Sequence, residues 1–321
     1  MVLGILLTQG HRLLSIAAMI DVFESVNCLY TATGKAPLFT IKLLQGSLPA
    51  ENNYNGYTPE LTEAQSTCDI ILIPAFKPGL LPDAINNNAG YIPWLHQQYS
   101  KGAAIASFCT GAFLLAATGL LNGRPATTHI DAGGHFSRAF PEVLLQADAV
   151  VTEADRVYTS GGATNSFHLM LRLIEVYAGR AVAIRIAKQF SIDIDRTIQT
   201  YFGTFLPIDN HNDDLVKQTQ HSIKHNFKTA GTIEEIIAHI PSSRRNLVRR
   251  FKQATGITPI EYLQKIRIEA AKEQLELSRS SVMEVMLDSG YNDIKTFRTL
   301  FKKNVGMTPK MYRDKFNARA I

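Results

Sequence analysis

The sequence predicts an α/β domain over residues 1–190, a linker at 191–212, and an all-α domain over residues 213–321. Three observations predict it. Apolar strand-like runs alternate with helical periodicities through the first domain, the pattern of a mainly parallel sheet covered on both faces. The last third repeats itself with a period of 50 residues: the Phe, Lys, Gly, Thr, Pro and Tyr of residues 251–262 return in register in residues 301–312. Charge also separates the two ends. Residues 213–321 hold 20 Lys and Arg against 12 Asp and Glu, a net of +8, whereas residues 1–212 hold 13 against 16, a net of −3.

The elements follow in chain order. Residues 2–7 form an apolar run that reads as a buried strand, and residues 15–30 have helical periodicity. Residues 38–44 alternate as a strand, and residues 70–73 form another that ends at Pro74. A helix is expected over 92–99, a strand over 103–108 and an apolar helix over 112–121. Strands near 149–152 and 157–159 precede a helix over about 164–177.

The run Ala106-Ser107-Phe108-Cys109-Thr110-Gly111-Ala112 carries the most chemistry in this half. A strand leads into a nucleophilic residue, then a tight turn with glycine, then a helix, which is the mechanics of a nucleophile elbow. A helix N-terminus at that point would lower the pKa of Cys109 and offer amides to an anion. A cysteine packed in a βα corner is the plain alternative.

Residues 191–212 show neither a long apolar period nor a clear strand and read as a partly packed tether. His221 and His225 lie four apart on the next helix; without Cys or carboxylate partners they read as a solvated face, and no metal is expected.

A short amphipathic helix at 232–238 precedes a break at His239-Ile240-Pro241-Ser242 and a second helix from Ser243 to about Thr255. The second copy runs from 281–288 through Ser289-Gly290-Tyr291-Asn292 into a helix from Asp293 to about Asn304. Ser243 and Asp293 are good N-caps, because their side-chain oxygens accept free first-turn amides. Helix, tight turn, helix is the helix-turn-helix, whose second helix enters the DNA major groove. Two copies are too few for a solenoid, which needs about three or more, so a paired device is expected. Leu247 with Phe251, and Phe297 with Phe301, should face the core. Arg244, Arg245, Arg249, Arg250 and Lys252 charge the first reading helix, and a basic end on a near-neutral body points to a polyanion.

At this point residues 213–316 resemble the AraC/XylS DNA-binding domain. The likeness rests on Ser243, Arg245, Leu247, Arg249 and Phe251, on Gly256-x-Thr258-Pro259-x-x-Tyr262, on Arg267 and Ala271, on Gly290-Tyr291, and on Gly306-x-Thr308-Pro309-x-x-Tyr312-Arg313. The resemblance implies two helix-turn-helices joined by a long helix at about 259–278, with reading helices in major grooves about 34 Å apart. It places base reading at Arg245, Val248 and Arg249, then at Ile294, Lys295, Arg298 and Thr299; by their charge, Arg244 and Lys302 are also expected to contact the DNA. Val248 and Ile294 are apolar and could only meet thymine methyls or pack locally.

Residues 1–185 resemble the PfpI-like branch of the class I glutamine amidotransferase-like superfamily, which implies a flavodoxin-like α/β/α sandwich. The matching pieces are Gly4–Gly10, Asp69–Pro74, Ala106–Gly111, Gly119–Gly123, Ala126-Thr-Thr-His129 and Thr159-Ser-Gly-Gly162. The two likenesses in one chain resemble the GlxA-type transcriptional regulators. Catalytic relatives of the first domain carry a Glu where this chain has Ser15 and often a His where it has Thr110, so no catalytic residue is assigned. A thiolate without acid and base neighbours is a poor hydrolytic machine.

The expected protein is a DNA-binding transcription regulator, not an enzyme. Its first domain would bind a small-molecule effector in a pocket of Cys109, Thr110, Gly111, His129, Ser160, Gly161, Gly162 and Ser15. Double-stranded DNA and a second copy, giving a homodimer, are the expected partners, with RNA polymerase a further one; no cofactor is expected. A cysteine enzyme (deglycase, amidohydrolase or hydratase) fused to a DNA-binding domain and a Cys109 redox sensor remain the alternatives. The first apolar run is too short for a signal peptide, and no stretch approaches the roughly 20 apolar residues of a membrane span. Three unpaired cysteines fit a reducing cytosol, so a cytoplasmic protein is expected.

Overall fold

The computed structural model describes residues 1–46, 56–62, 67–77, 79–196, 198–205, 207–209, 211–229 and 232–318. Leu206 and Asn210 of the expected linker lie outside the described residues. The chain divides into two compact units, Met1–Gln199 and Thr200–Ile321.

The first unit runs β1 (Val2–Leu6), α1 (Leu13–Thr31), β2 (Thr40–Gln45), β3 (Glu60–Leu61), β4 (Ile70–Ile73), α2 (Leu81–Asn87), α3 (Tyr91–Ser100) and β5 (Ala104–Ser107). A 3-10 turn at Cys109–Gly111 leads into α4 (Ala112–Ala117), β6 (Pro125–Ala126), a second such turn at Ile130–Ala132, α5 (Gly133–Ala139), β7 (Leu144–Leu145), β8 (Val151–Ala154), β9 (Val157–Ser160), α6 (Asn165–Ala178) and α7 (Arg180–Gln189). Among the described residues, seven strands pair in the order β3-β2-β1-β4-β5-β9-β8, and every pairing is parallel except β8 with β9. The register sets Leu3 beside both Ile41 and Ile70, Ile71 beside Ile105, and Ala106 beside Tyr158.

Successive strand residues point to opposite faces, and both faces are covered. Leu3, Ile70, Leu72 and Ala106 pack with Met19 and Phe23 of α1, Leu169 and Leu173 of α6 and Ile186 of α7. Ile71, Ile73 and Ile105 pack with Trp94 of α3, Phe113 of α4 and Phe136 of α5. This is the flavodoxin-like α/β/α sandwich. Because β1 lies between β2 and β4, the chain reverses direction across the sheet there. Doubly wound folds bind ligands outside the carboxyl ends of the central strands, at such a reversal.

One expectation needs correction. By length and composition α1, at 19 residues, could cross a bilayer, which the sequence reading denied of every segment. Its apolar character serves the core, since Ile16, Met19, Val22, Phe23 and Val26 are fully buried on the sheet. The boundary between the compact units, Gln199–Thr200, falls within the expected linker of residues 191–212. The segment packs because its few apolar residues find distant partners: Phe190 and Ile192 join the first core, and Tyr201 and Phe205 join the two cores of the second unit.

The second unit contains a 3-10 turn at Thr200–Phe202, then α8 (Asp214–Asn226), α9 (Ile233–Ile237), α10 (Arg244–Thr255), α11 (Pro259–Leu277), α12 (Val282–Asp288), α13 (Ile294–Val305) and α14 (Pro309–Phe316). Much of the 50-residue repeat is punctuation. Gly256 and Gly306 end α10 and α13 in the left-handed conformation, with φ of 82° and 85°. Thr258 and Thr308 then cap α11 and α14, with a proline at the first helical position of each. The rest of the repeat is core. Phe251 meets Tyr262 edge-on at 5.3 Å, and Phe301 meets Tyr312 edge-on at 5.6 Å. Each ring pair anchors one of two adjoining clusters along α11.

Candidate functional site

The elbow forms as its motif implies. Cys109 takes φ of +53°, a left-handed conformation that costs a non-glycine residue about 1–2 kcal/mol. Gly111 permits the close approach that follows: a Cβ there would stand 2.6 Å from the Pro74 carbonyl oxygen and 2.8 Å from that of Ile73. The surrounding loops are tied to the turn. The Cys109 amide donates to Ser160 Oγ at 3.3 Å, and Thr128 Oγ1 donates to the Cys109 carbonyl at 3.0 Å. Thr110 Oγ1 accepts the Phe76 amide at 2.8 Å, while Ser15 Oγ accepts the neighbouring Ala75 amide at 3.2 Å.

His129 stands next to Thr128. Its Nδ1 accepts the Asp131 amide at 3.2 Å, which leaves its Nε2 edge lying against Gly162. The structure thus gathers Cys109, Thr110, Gly111, His129, Ser160, Gly161 and Gly162 at the carboxyl ends of β5 and β9, with Ser15 one loop away. A separate groove of about 400 Å³ in this unit, between β8, α6 and α7, is lined by His168, Arg172 and Arg196 among others. None of the gathered residues lines it.

The electrostatics of Cys109 reverse the expectation of a lowered pKa. Burial pushes the thiol up to about 11; the hydrogen bonds of Thr110 and the charge of Arg12 oppose this and do not overcome it. The residue is only 1% exposed, so the helix N-terminus acts on a sulfur that water barely reaches.

Sequence reasoning missed Gln199. It is 1% exposed, and its carboxamide joins three segments of the site: the Gly161–Gly162 turn, the Thr127–Thr128 segment, and Ala147. A lone glutamine in a segment without periodicity gives no signal of burial.

In the second unit, α9 with α10 and α12 with α13 form the two helix-turn-helices. Ser243 Oγ accepts the Asn246 amide at 3.4 Å and Asp293 Oδ1 accepts that of Thr296 at 2.7 Å, so both expected caps are made. Leu247, Phe251, Phe297 and Phe301 are buried. Arg245, Arg249, Lys295, Arg298, Thr299 and Lys302 are exposed. Arg249 rests on Asn246 Oδ1 at 3.0 Å, and Arg244 reaches Glu234 of α9 at 2.6 Å. Val248 is half-buried. Ile294 is half-buried and packs against the core cluster of α13. Arg250, counted with the charge of the reading helix, is instead engaged by Asp213 at 2.7 Å.

Tight turns, two reading helices with exposed cations and a long connecting helix define a double helix-turn-helix protein with an α/β partner unit. Residues 53–176 match the DJ-1/PfpI family and residues 237–315 match a helix-turn-helix domain. Its relatives include three from Pseudomonas aeruginosa. The HTH-type transcriptional regulator CdhR is 27% identical over 226 residues, 69% of this chain and 66% of its own length. GbdR is 25% identical over 225 residues, 70% and 61% of the two lengths. ArgR is 24% identical over 323 residues, 97% and 92%. The first two matches thus span less than two thirds of those relatives. A solved structure of a proposed transcriptional regulator from Vibrio parahaemolyticus is similar in fold, with a TM-score of 0.50 and 21% identity over 59% of this chain and 98% of that one.

Proposed function

We propose that this chain is a sequence-specific, DNA-binding transcription regulator. The observation that carries the reading is the repeated helix-turn-helix, each copy capped, glycine-stopped and packed on its own aromatic pair, with exposed cations on α10 and α13. The relatives' names agree with it. Full-length protein should bind selected duplexes with an affinity that falls steeply with salt, as counterions are released from phosphates. Fluorescence anisotropy on a selected duplex and on a scrambled one tests this; absence of DNA affinity at low salt would overturn it.

The elbow of the first unit serves as an effector pocket for a small metabolite in this reading. A buried thiol pushed up to about 11 is a poor nucleophile at neutral pH, which argues against a cysteine enzyme and against a peroxide sensor. Ser15 is occupied by the Ala75 amide, and His129 by the Asp131 amide. The first unit also joins two copies, so that a homodimer presents four helix-turn-helices to two half-sites, in the cytoplasm and within reach of RNA polymerase. Sedimentation of the full-length protein decides the assembly: a monomer at tens of micromolar, roughly the range of a modest affinity, removes the dimer.

A further inference from the structure

Gln199 is the last residue of the first unit, and Thr200 begins the second. Its carboxamide is held as a bound ligand would be. Oε1 accepts from the Gly162 amide at 2.8 Å and from Asn165 Nδ2 at 2.9 Å. Nε2 donates to the Ala147 carbonyl at 2.9 Å, the Thr128 carbonyl at 3.0 Å and Thr127 Oγ1 at 3.3 Å. Exchanging the oxygen and nitrogen would set NH2 against the Gly162 N–H, so the donor and acceptor sides are fixed. Gly161 makes the room, since a Cβ there would lie 2.1 Å from Gln199 Oε1. Asn165 is 1% exposed, and its Oδ1 has no hydrogen-bond partner, leaving one buried acceptor at the cradle unused. Thr128 and Ser160, which flank this cradle, also hold the Cys109 turn.

We propose that this cradle is a primary-carboxamide site, occupied by the chain's own Gln199, and that an effector bearing a primary carboxamide takes its place and frees the exit from the first unit. The proposal rests on reading the elbow as the effector pocket. The chemistry selects an amide over an acid. A carboxylate would satisfy the donors of Gly162 and Asn165 but would turn its second oxygen toward the Ala147 and Thr128 carbonyls, where only a donor is tolerated. The connection to the second unit is covalent. The Gln199 amide nitrogen bonds the Asp148 carbonyl at 3.0 Å, and Ile198 bridges to Ala149, so residues 198–199 are stitched to the cradle's own rim. Expelling the side chain removes the anchor one residue before the second unit starts. A tethered side chain competes at an effective concentration on the order of millimolar or more, so a free ligand must exceed that or make further contacts near Cys109.

Propionamide is the Gln199 side chain as a free molecule, and propionate is its acidic counterpart. Hydrogen exchange on the full-length protein follows residues 198–202 and the Gly162 amide with each probe. In wild type, propionamide at high concentration speeds exchange at 198–202 several-fold while Gly162 stays protected. In Gln199→Ala both regions exchange faster without any probe. Propionamide then restores protection at Gly162, half-saturating at least about tenfold lower than in wild type, and propionate does not. Should Gln199→Ala fail to fold, Gln199→Met keeps the volume and loses the hydrogen bonds, and faster exchange at 198–202 is again expected. Unchanged exchange in the folded variant, or equal effects of the two probes, overturns the proposal. DNA affinity is measured alongside. A wild-type chain that binds DNA but fails the exchange test loses only the latch, whereas a chain that does not bind DNA loses the regulator reading and leaves the exchange result standing.

Discussion

Arg250 grips Asp213 with two hydrogen bonds, Nε to Oδ2 at 2.8 Å and Nη2 to Oδ1 at 2.7 Å. The same carboxylate caps α8 by accepting the Val216 amide at 3.1 Å. A cation of the first reading helix is thereby used to fasten the helix before it.

The stability of the second unit should therefore depend on this carboxylate. Asp213→Ala removes cap and pair together and should cost about 1–2 kcal/mol. The hydrogen bonds from Arg250 hold the Asp213 carboxyl below its ordinary 3.8. A depressed acid stabilises the fold above the unfolded value, and the contribution is lost as pH falls through the folded one. Urea midpoints measured from pH 7 down to pH 3 should fall more steeply below about pH 4 in wild type than in Asp213→Asn. Parallel curves for the two proteins would remove the pair from the account of acid stability.

DNA recognition should separate base reading from phosphate contact. Arg249→Ala should cost about 1–3 kcal/mol at the selected site and relax specificity there. Lys302→Ala should weaken all duplexes evenly and reduce the salt slope by about one. Anisotropy titrations at several salt concentrations distinguish the two, and an Arg249→Ala loss that is equal on specific and scrambled DNA contradicts its reading role.

Thiol labelling should find only one ready cysteine. Cys28 is exposed, whereas Cys68 and Cys109 are buried and their thiols are each pushed up to about 11 by that burial. Iodoacetamide at pH 8 should modify Cys28 in the native protein and all three cysteines after denaturation. Fast native labelling of Cys109, read by peptide mass, would restore a reactive thiolate and with it the cysteine-enzyme alternative.

Fragment boundaries offer another check. Phe205 packs edge-on against Tyr262 at 5.4 Å, and Tyr201 and Phe202 lie 6.5 and 6.2 Å from the Phe316 ring. A fragment of residues 213–321 omits these rings, and it should be less stable than residues 200–321 by about 3 kcal/mol, taking the three aromatic pairs at roughly 1 kcal/mol each. Equal melting temperatures would mean that the 200–212 segment contributes no packing.

The reading helices were legible in the sequence because their signals are local. A capping Ser or Asp, a stopping Gly and a Thr-Pro restart each act within one turn of the residue that carries them, and the repeat wrote them twice. The elbow turn was legible for the same reason. The thiol's protonation was not, because a motif displays the nearby helix end and hides the burial contributed by distant loops. Gln199 escaped notice for a related reason: its partners lie 34–72 residues earlier and four of its side chain's five hydrogen bonds end in segments without periodic pattern. The tether fared alike, since its aromatics acquire meaning only from rings remote in the chain.

The connecting helix α11 has 19 residues, about 28 Å at 1.5 Å per residue. Buried residues along it belong to both aromatic clusters, so it works as a ruler with no slack between two reading heads. An added residue would turn one head by about 100° and shift it by about 1.5 Å, out of phase with the groove it must follow. DNA read by such a device has little freedom to gain or lose a base pair between the two heads. Its variation is confined to the identity of the bases the two heads meet.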